Sequence, residues 1–165
     1  MKKVSTTPKQ QRGVVLVTSL IMLLVMTLIG ITGMQTTMLE EKMAGNYNDQ
    51  NIAFQAAEST LIEAEELIMS WTFPFNMPNV GGLFELANEP ANYLNPALWS
   101  ANGSSKSADV GFGARLDIPH DPRYVITRID SNPLSNVSTF RITARALGKS
   151  PGTQVILQEI YERTN

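Results

Sequence analysis

The sequence predicts an α+β protein, a long N-terminal helix packed through its second half on a C-terminal antiparallel β-sheet. Three observations carry this. An uncharged apolar run fills residues 14–34, and apolar residues at helical spacing continue to Trp71, with no proline between Pro8 and Pro74. From Arg123 onward the chain turns to β-branched and alternating segments.

The elements follow in order. Residues 1–13 form a basic leader, with Lys2, Lys3, Lys9 and Arg12 and no acid. No charged residue occurs from Gly13 to Leu39, and acids begin at Glu40 and Glu41. Val14 to Met34 is 21 residues, close to the roughly 20 that a helix needs to cross a bilayer core. Twelve of these are Val, Leu or Ile, which together favour insertion by roughly 4 to 7 kcal/mol. Thr18, Ser19, Thr27 and Thr32 oppose this weakly, since helical hydroxyls bond their own backbone.

Two other readings compete for this run. A buried helix of a small soluble domain rarely goes so long without a charge. A cleaved secretory signal has a shorter apolar core and a small-x-small site, for which "GITGM" at 30–34 is a poor match. The basic head places the N-terminus in the cytoplasm and exports the body.

The second half of the helix, 35–71, carries Ala53, Ala57, Thr60, Leu61, Ala64, Leu67, Ile68 and Trp71 at spacings of three and four. Glu58, Glu63, Glu65 and Glu66 mostly take other faces. The small residues predict close approach to a sheet. A helix over 14–71 would run ~87 Å, with Gly30, Gly33 and Gly45-Asn46 as its weak points. Gly30 and Gly33 lack the spacing of the GxxxG dimer motif.

Residues 72–122 change to loop chemistry, with Pro74, Pro78, Pro90, Pro96, Pro119 and Pro122, Gly81-Gly82, and a turn candidate at Asn102-Gly103. Gly82–Ala87 and Ala97–Trp99 read as turns or short helices. Residues 123–165 form the sheet. Within 138–147, Phe140, Ile142, Ala144 and Ala146 alternate with Arg141, Thr143 and Arg145. The arginine row reads as a solvated face, with an acidic partner surface as the alternative. "GKSPG" at 148–152 is a turn and 153–163 a last strand.

Composition excludes several function classes. The 165 residues carry a net charge of -2, without the basic excess of a nucleic-acid binder. With no cysteine, disulfides, thiolate catalysis and cysteine-bound metals are excluded. His120, the one histidine, sits in "PHDP" and reads as structural or exposed. No G-x-S-x-G, P-loop, H-E-x-x-H or G-x-G-x-x-G is present. Asp109, Asp117, Asp121 and Asp130 are loosely grouped without an Asp-x-Asp calcium pattern. The expectation is a non-enzymatic protein with no catalytic residue, cofactor or metal.

The junction Gln11-Arg12-Gly13-Val14-Val15-Leu16 resembles a prepilin cleavage site. "MQTTMLEEKMAGNYNDQNIAFQAAESTLIEAE" at 34–65 resembles the N-terminal signature of PilX-type pilus assembly proteins, and "FRITARALG" and "VILQEIY" resemble the end of that family. The resemblance implies a pilin-like ladle fold and a minor pilin of the type IV pilus, in a tip or priming complex that promotes assembly. It implies cleavage after Gly13 by a prepilin peptidase and N-methylation of Val14. The implied location is the inner membrane, single-pass with the body periplasmic, and then the extracellular pilus.

The implied partners are other minor pilins, the major pilin and the inner-membrane assembly platform. Helix packing between subunits would use Val14, Leu16, Val17, Leu20, Leu24 and Leu28. Glu40 and Glu41 would lie just past the membrane, placed to pair with basic groups of a neighbouring subunit.

One position departs from the pattern. Most pilins carry glutamate five residues into the mature chain, where it neutralises the N-terminal amine of an earlier subunit; here that residue is Thr18. Tip-located pseudopilins of type II secretion share the absence, which makes a tip position the expectation by analogy. Two other functions stay open on the sequence. One is an adhesive or aggregation-mediating pilin acting through 72–122. The other is a type II secretion pseudopilin, although its tip class usually carries a larger inserted domain.

Overall fold

The computed structural model of the protein describes residues 12–72, 77–100, 105–108, 118–132 and 137–164. The leader lysines, Pro74, the Asn102-Gly103 turn, Asp109 and Asp117 lie outside the described residues. Contacts within the chain gather into two units, divided between Gly45 and Asn46.

Helix α1 runs over Arg12–Ser70 and passes through Gly30, Gly33 and Gly45 without interruption. In the first unit it makes up all of the described structure, and every side chain from 13 to 45 is exposed. Its hydroxyls are satisfied locally. Thr18 donates to the Val14 and Val15 carbonyls at 3.0 Å, Thr27 to Leu24 at 2.8 Å and Thr32 to Ile29 at 2.9 Å. No polar side chain is then left unpaired on the apolar surface by these residues.

In the second unit the helix from Asn46 packs on a five-stranded sheet. The strands are β1 (Leu83–Glu85), β2 (Lys106–Ser107), β3 (Arg123–Asn132), β4 (Val137–Leu147) and β5 (Gln154–Thr164). Their order is β1-β3-β4-β5, with β2 also paired to β3. The long strands β3, β4 and β5 are antiparallel, while β1 runs parallel to β3. The sheet therefore draws two short strands from the loop region 72–122, beyond the three long ones the alternation predicts.

The helix buries Ala53, Ala56, Ala57, Thr60, Leu61, Ala64 and Ile68. Opposite them the sheet presents Tyr124, Ile126, Phe140, Ile142, Ala144 and Ala146, all buried. Small helix residues let the backbones come close, and the bulk is supplied by the sheet. Each large apolar side chain so buried contributes about 1.5–3 kcal/mol. Trp71 closes this core edge-on to Phe140, with centroids 5.9 Å apart. Arg163 of β5 donates to the Ile68 carbonyl and, at 2.7 Å, to that of Trp71. A strand residue thus satisfies carbonyls that the helix end leaves without partners.

The other face of the sheet is not simply solvated. Phe84, Leu98, Trp99 and Val125 form a second small core there, with Tyr93 packed against it. The 3₁₀ turns at Leu86–Asn88 and Pro96–Trp99 hold this cover in place, and the Trp99 indole N–H donates to the Tyr93 carbonyl at 2.8 Å. The turn into β1 depends on Gly82, which has φ +84 and whose added Cβ would meet the Lys106 backbone nitrogen at 2.7 Å. β3 carries a bulge between Arg128 and Asp130.

Candidate functional site

The residues singled out for processing and packing all lie on the first turns of α1. Gly13 is its second residue, and a Cβ there would meet nothing within 4 Å. Exposure runs from 52% at Leu24 to 68% at Leu16, with Val14, Val17, Leu20 and Leu28 between them. At 100° per residue, Val14, Val17, Leu20, Leu24 and Leu28 share one side of the helix, and Leu16 flanks them.

The stretch has a mean hydropathy of 2.8 and buries nothing inside the molecule. By length and composition it is able to cross a bilayer. A helix apolar on all sides has its favourable contacts elsewhere, in lipid or against other helices. Thr18 brings no charge to that surface, and its hydroxyl is taken by its own backbone.

Three groups in the second unit escaped the sequence reading. Asp49 is buried, and its carboxylate accepts from the backbone N–H groups of Lys149 and Ser150 in the β4–β5 turn. The Thr153 hydroxyl is the largest influence lowering its pKa, helped by those backbone donors and opposed by burial. Gly148 is needed for this approach, since a Cβ there would lie 2.4 Å from Asp49 Oδ1 and 2.9 Å from the Asp49 carbonyl oxygen.

Glu65 of α1 and Glu159 of β5 form a second group. Burial first, and then the bond and charge of Glu65, push the Glu159 carboxyl up to about 7. Its Oε1 is buried with no hydrogen-bond partner among the described residues.

The third group is the set of sheet arginines. Arg128 is ion-paired to Glu85 across the β1–β3 ladder, and Arg141 to Glu89 at 2.8 Å. Tyr93 also donates to Glu89, at 2.6 Å. The arginine row of β4 is thus partly covered and paired, which corrects its reading as a solvated face. Arg145 instead lies over the Trp99 ring, 6.0 Å from its centroid, and donates to Gln154.

None of these groups was visible in the sequence, because the partners lie far apart in it. Asp49 meets Lys149 across 100 positions and Arg141 meets Glu89 across 52.

His120 is exposed at the edge of the 119–122 segment, and Asp121 and Asp130 are exposed as well. Among the described residues no three His, Cys, Asp or Glu side chains are grouped to hold a metal ion.

Two family profiles match the chain. PilX N-terminal matches residues 12–61, and the type IV pilus assembly protein PilX C-terminal profile matches residues 43–163. No curated protein and no solved structure matches it.

Proposed function

The chain belongs to the PilX family of type IV pilus assembly proteins, and from that premise we propose that it is a minor pilin acting in a tip or priming complex. The observation that carries this is the helix surface over 13–39, which is largely apolar, uncharged and exposed at every residue, with threonine at position 18. Before assembly that surface anchors the protein in the inner membrane, with residues 1–12 cytoplasmic and the body periplasmic. A prepilin peptidase cuts after Gly13, and the new terminus at Val14 is methylated. After assembly the same surface packs against the helices of other minor pilins and the major pilin. The role is structural, and no catalytic step is assigned.

The tip position rests on charge. An ionised group within an apolar helix bundle costs about 2.5 kcal/mol or more when unpaired. A glutamate at position 18 would pair with the amine of the subunit ahead, whereas Thr18 is silent. A subunit with no pilin amine ahead of it has no use for the acid.

The test is the N-terminus, read by mass spectrometry in cells with and without the prepilin peptidase. The expected mature chain begins at methylated Val14 and appears only with the peptidase. A chain that still begins at Met1 would overturn the processing. For position, Thr18→Glu is expected to disturb pilus initiation or the choice of neighbouring subunit. Unchanged initiation and unchanged neighbours would remove the charge argument.

A further inference from the structure

Arg163 of β5 is committed to the helix end, and the four arginines of β3 and β4 divide into two pairs. Arg128 and Arg141 each meet a carboxylate, Glu85 and Glu89. Arg123 and Arg145 instead stand directly opposite one another on β3 and β4. Like charges so placed repel.

Neither is bonded to a carboxylate among the described residues. Arg123 donates to the Ser105 hydroxyl at 2.7 Å and to the Ser105 carbonyl. Arg145 places two of its donors on the single Gln154 Oε1, at 3.3 and 3.1 Å. The rest of its five-donor fork is left over. Asp121 acts on Arg123 through its charge, but that side chain is exposed. Burial pushes both guanidinium groups below their ordinary value, and no acid offsets this at Arg145.

Both arginines line a concavity of about 550 Å³, with His120 and the exposed Asp121 among its walls, so two cations face one acid there. Pro96, Pro119 and Leu147 supply apolar surface beside the cations.

We propose that this pocket is a docking site for a carboxylate, carried by an acidic segment of a neighbouring pilus subunit. Arg145 is held by Trp99 beneath it and Gln154 beside it, so its fork is oriented before the partner arrives. Planar two-point pairing to a carboxylate is what such a fork does best. A bound carboxylate would also screen the Arg123–Arg145 repulsion.

The walls favour a protein partner over an acidic sugar. Trp99 is 4% exposed and lies under the guanidinium, so no aromatic plane is open for a sugar ring. The proline and leucine walls suit the methylene groups of a glutamate. This inference rests on the assembly reading for its choice of partner, but the pocket itself can be tested without it.

The chain has two tryptophans, Trp71 and Trp99, so Trp71→Phe leaves Trp99 as the only indole. In the full chain in detergent micelles, Trp99 emission would be titrated with a blocked hexaglutamate peptide. The expected result is a saturable change, weakened by salt, absent with hexaglutamine, and with affinity reduced about tenfold or more by Arg145→Gln. Arg145→Lys keeps the charge without the fork and is expected to fall between; its circular dichroism reports whether it folds.

Equal binding of hexaglutamate by both Arg145 variants and the wild-type residue would overturn the site. Tighter binding of inorganic phosphate or trigalacturonate than of hexaglutamate would overturn the partner class. In cells, Arg145→Gln is expected to lose cross-links to neighbouring pilus subunits. Retained cross-links would sink the docking role and leave the assembly reading standing. An unprocessed N-terminus would remove the assembly reading, while the Trp99 titration would still decide the pocket.

Discussion

Between Val14 and Ile31 helix α1 buries none of its side chains, whereas between Ala53 and Ile68 it buries seven, four of them alanine. The hydrogen-bonded backbone is the same in both stretches. What differs is the residue on each side of it. The first stretch is bulky and apolar all round, so nothing in the second-unit fold would be gained by turning it. The second places alanines and Thr60 on one side and glutamates on another, so a sheet can settle on it at close range. Its order comes from contacts within the chain, whereas the first stretch buries no side chain against the described residues.

The largest expected effect separates the two at the core. Phe140→Ala should cost the second unit about 3–5 kcal/mol, since Phe140 is fully buried against Trp71 and the helix. Denaturation of the full chain in detergent measures it, and the membrane fraction should not change. The reciprocal change is Leu24→Arg. It should lower insertion by about 3–4 kcal/mol on the biological scale while leaving the denaturation midpoint alone. A variant of either kind that moved both readouts would break the distinction between the stretches.

Next comes the contact that fixes Asp49. Gly148→Ala drives a methyl into the Asp49 carboxylate and its carbonyl oxygen. Overpacking of this kind costs about 1–3 kcal/mol. Asp49→Asn should be milder, because the amide oxygen still accepts from the turn. If Gly148→Ala proved neutral, the turn would not be held by the helix in the way its geometry indicates.

The sequence made the first stretch readable because its surface is its whole content: 27 uncharged residues from Gly13 to Leu39 need no partner to be recognised. The sheet strand 138–147 was readable for a similar reason, since its alternation records which side is buried. The helix stripe was readable, and Ala56, buried three residues after Ala53 and four before Thr60, extends it at the same spacing. The cover over the outer face was not readable. Phe84, Leu98 and Trp99 come from short pieces among prolines, and no periodicity operates over three or four residues. Nor was the pairing of Arg141 with Glu89, because charge in a sequence does not state its partner. Position 18 and the Gly13 junction are local features that the sequence alone can single out, whereas Arg123 and Arg145 share a concavity with Pro96, Trp99 and Pro119, which the sequence does not place beside them.

The smallest effect concerns pH, and it belongs to the packed stretch alone. Glu159, pushed up to about 7 chiefly by burial and then by Glu65, holds a proton that the unfolded chain releases near its ordinary value. The folded form therefore binds more protons between about 4.5 and 7, and stability falls as pH rises through that window. Asp49 acts in the opposite sense. Its lowered pKa, due first to the Thr153 hydroxyl, gives stability that is present above about pH 4 and lost on acidification. Together they place the maximum between the two, on the acid side of neutrality. Glu159 is faced by Glu65 from the helix and by Ile142 across the ladder. Glu159→Gln keeps the shape and removes the titration. Thermal unfolding at pH 5.5 and pH 8 should show wild type losing stability at the higher pH and the variant losing much less. If the variant kept the full slope, the carboxyl pair would not be its source, and the packed stretch of the helix would be as indifferent to pH as the uncharged stretch before it.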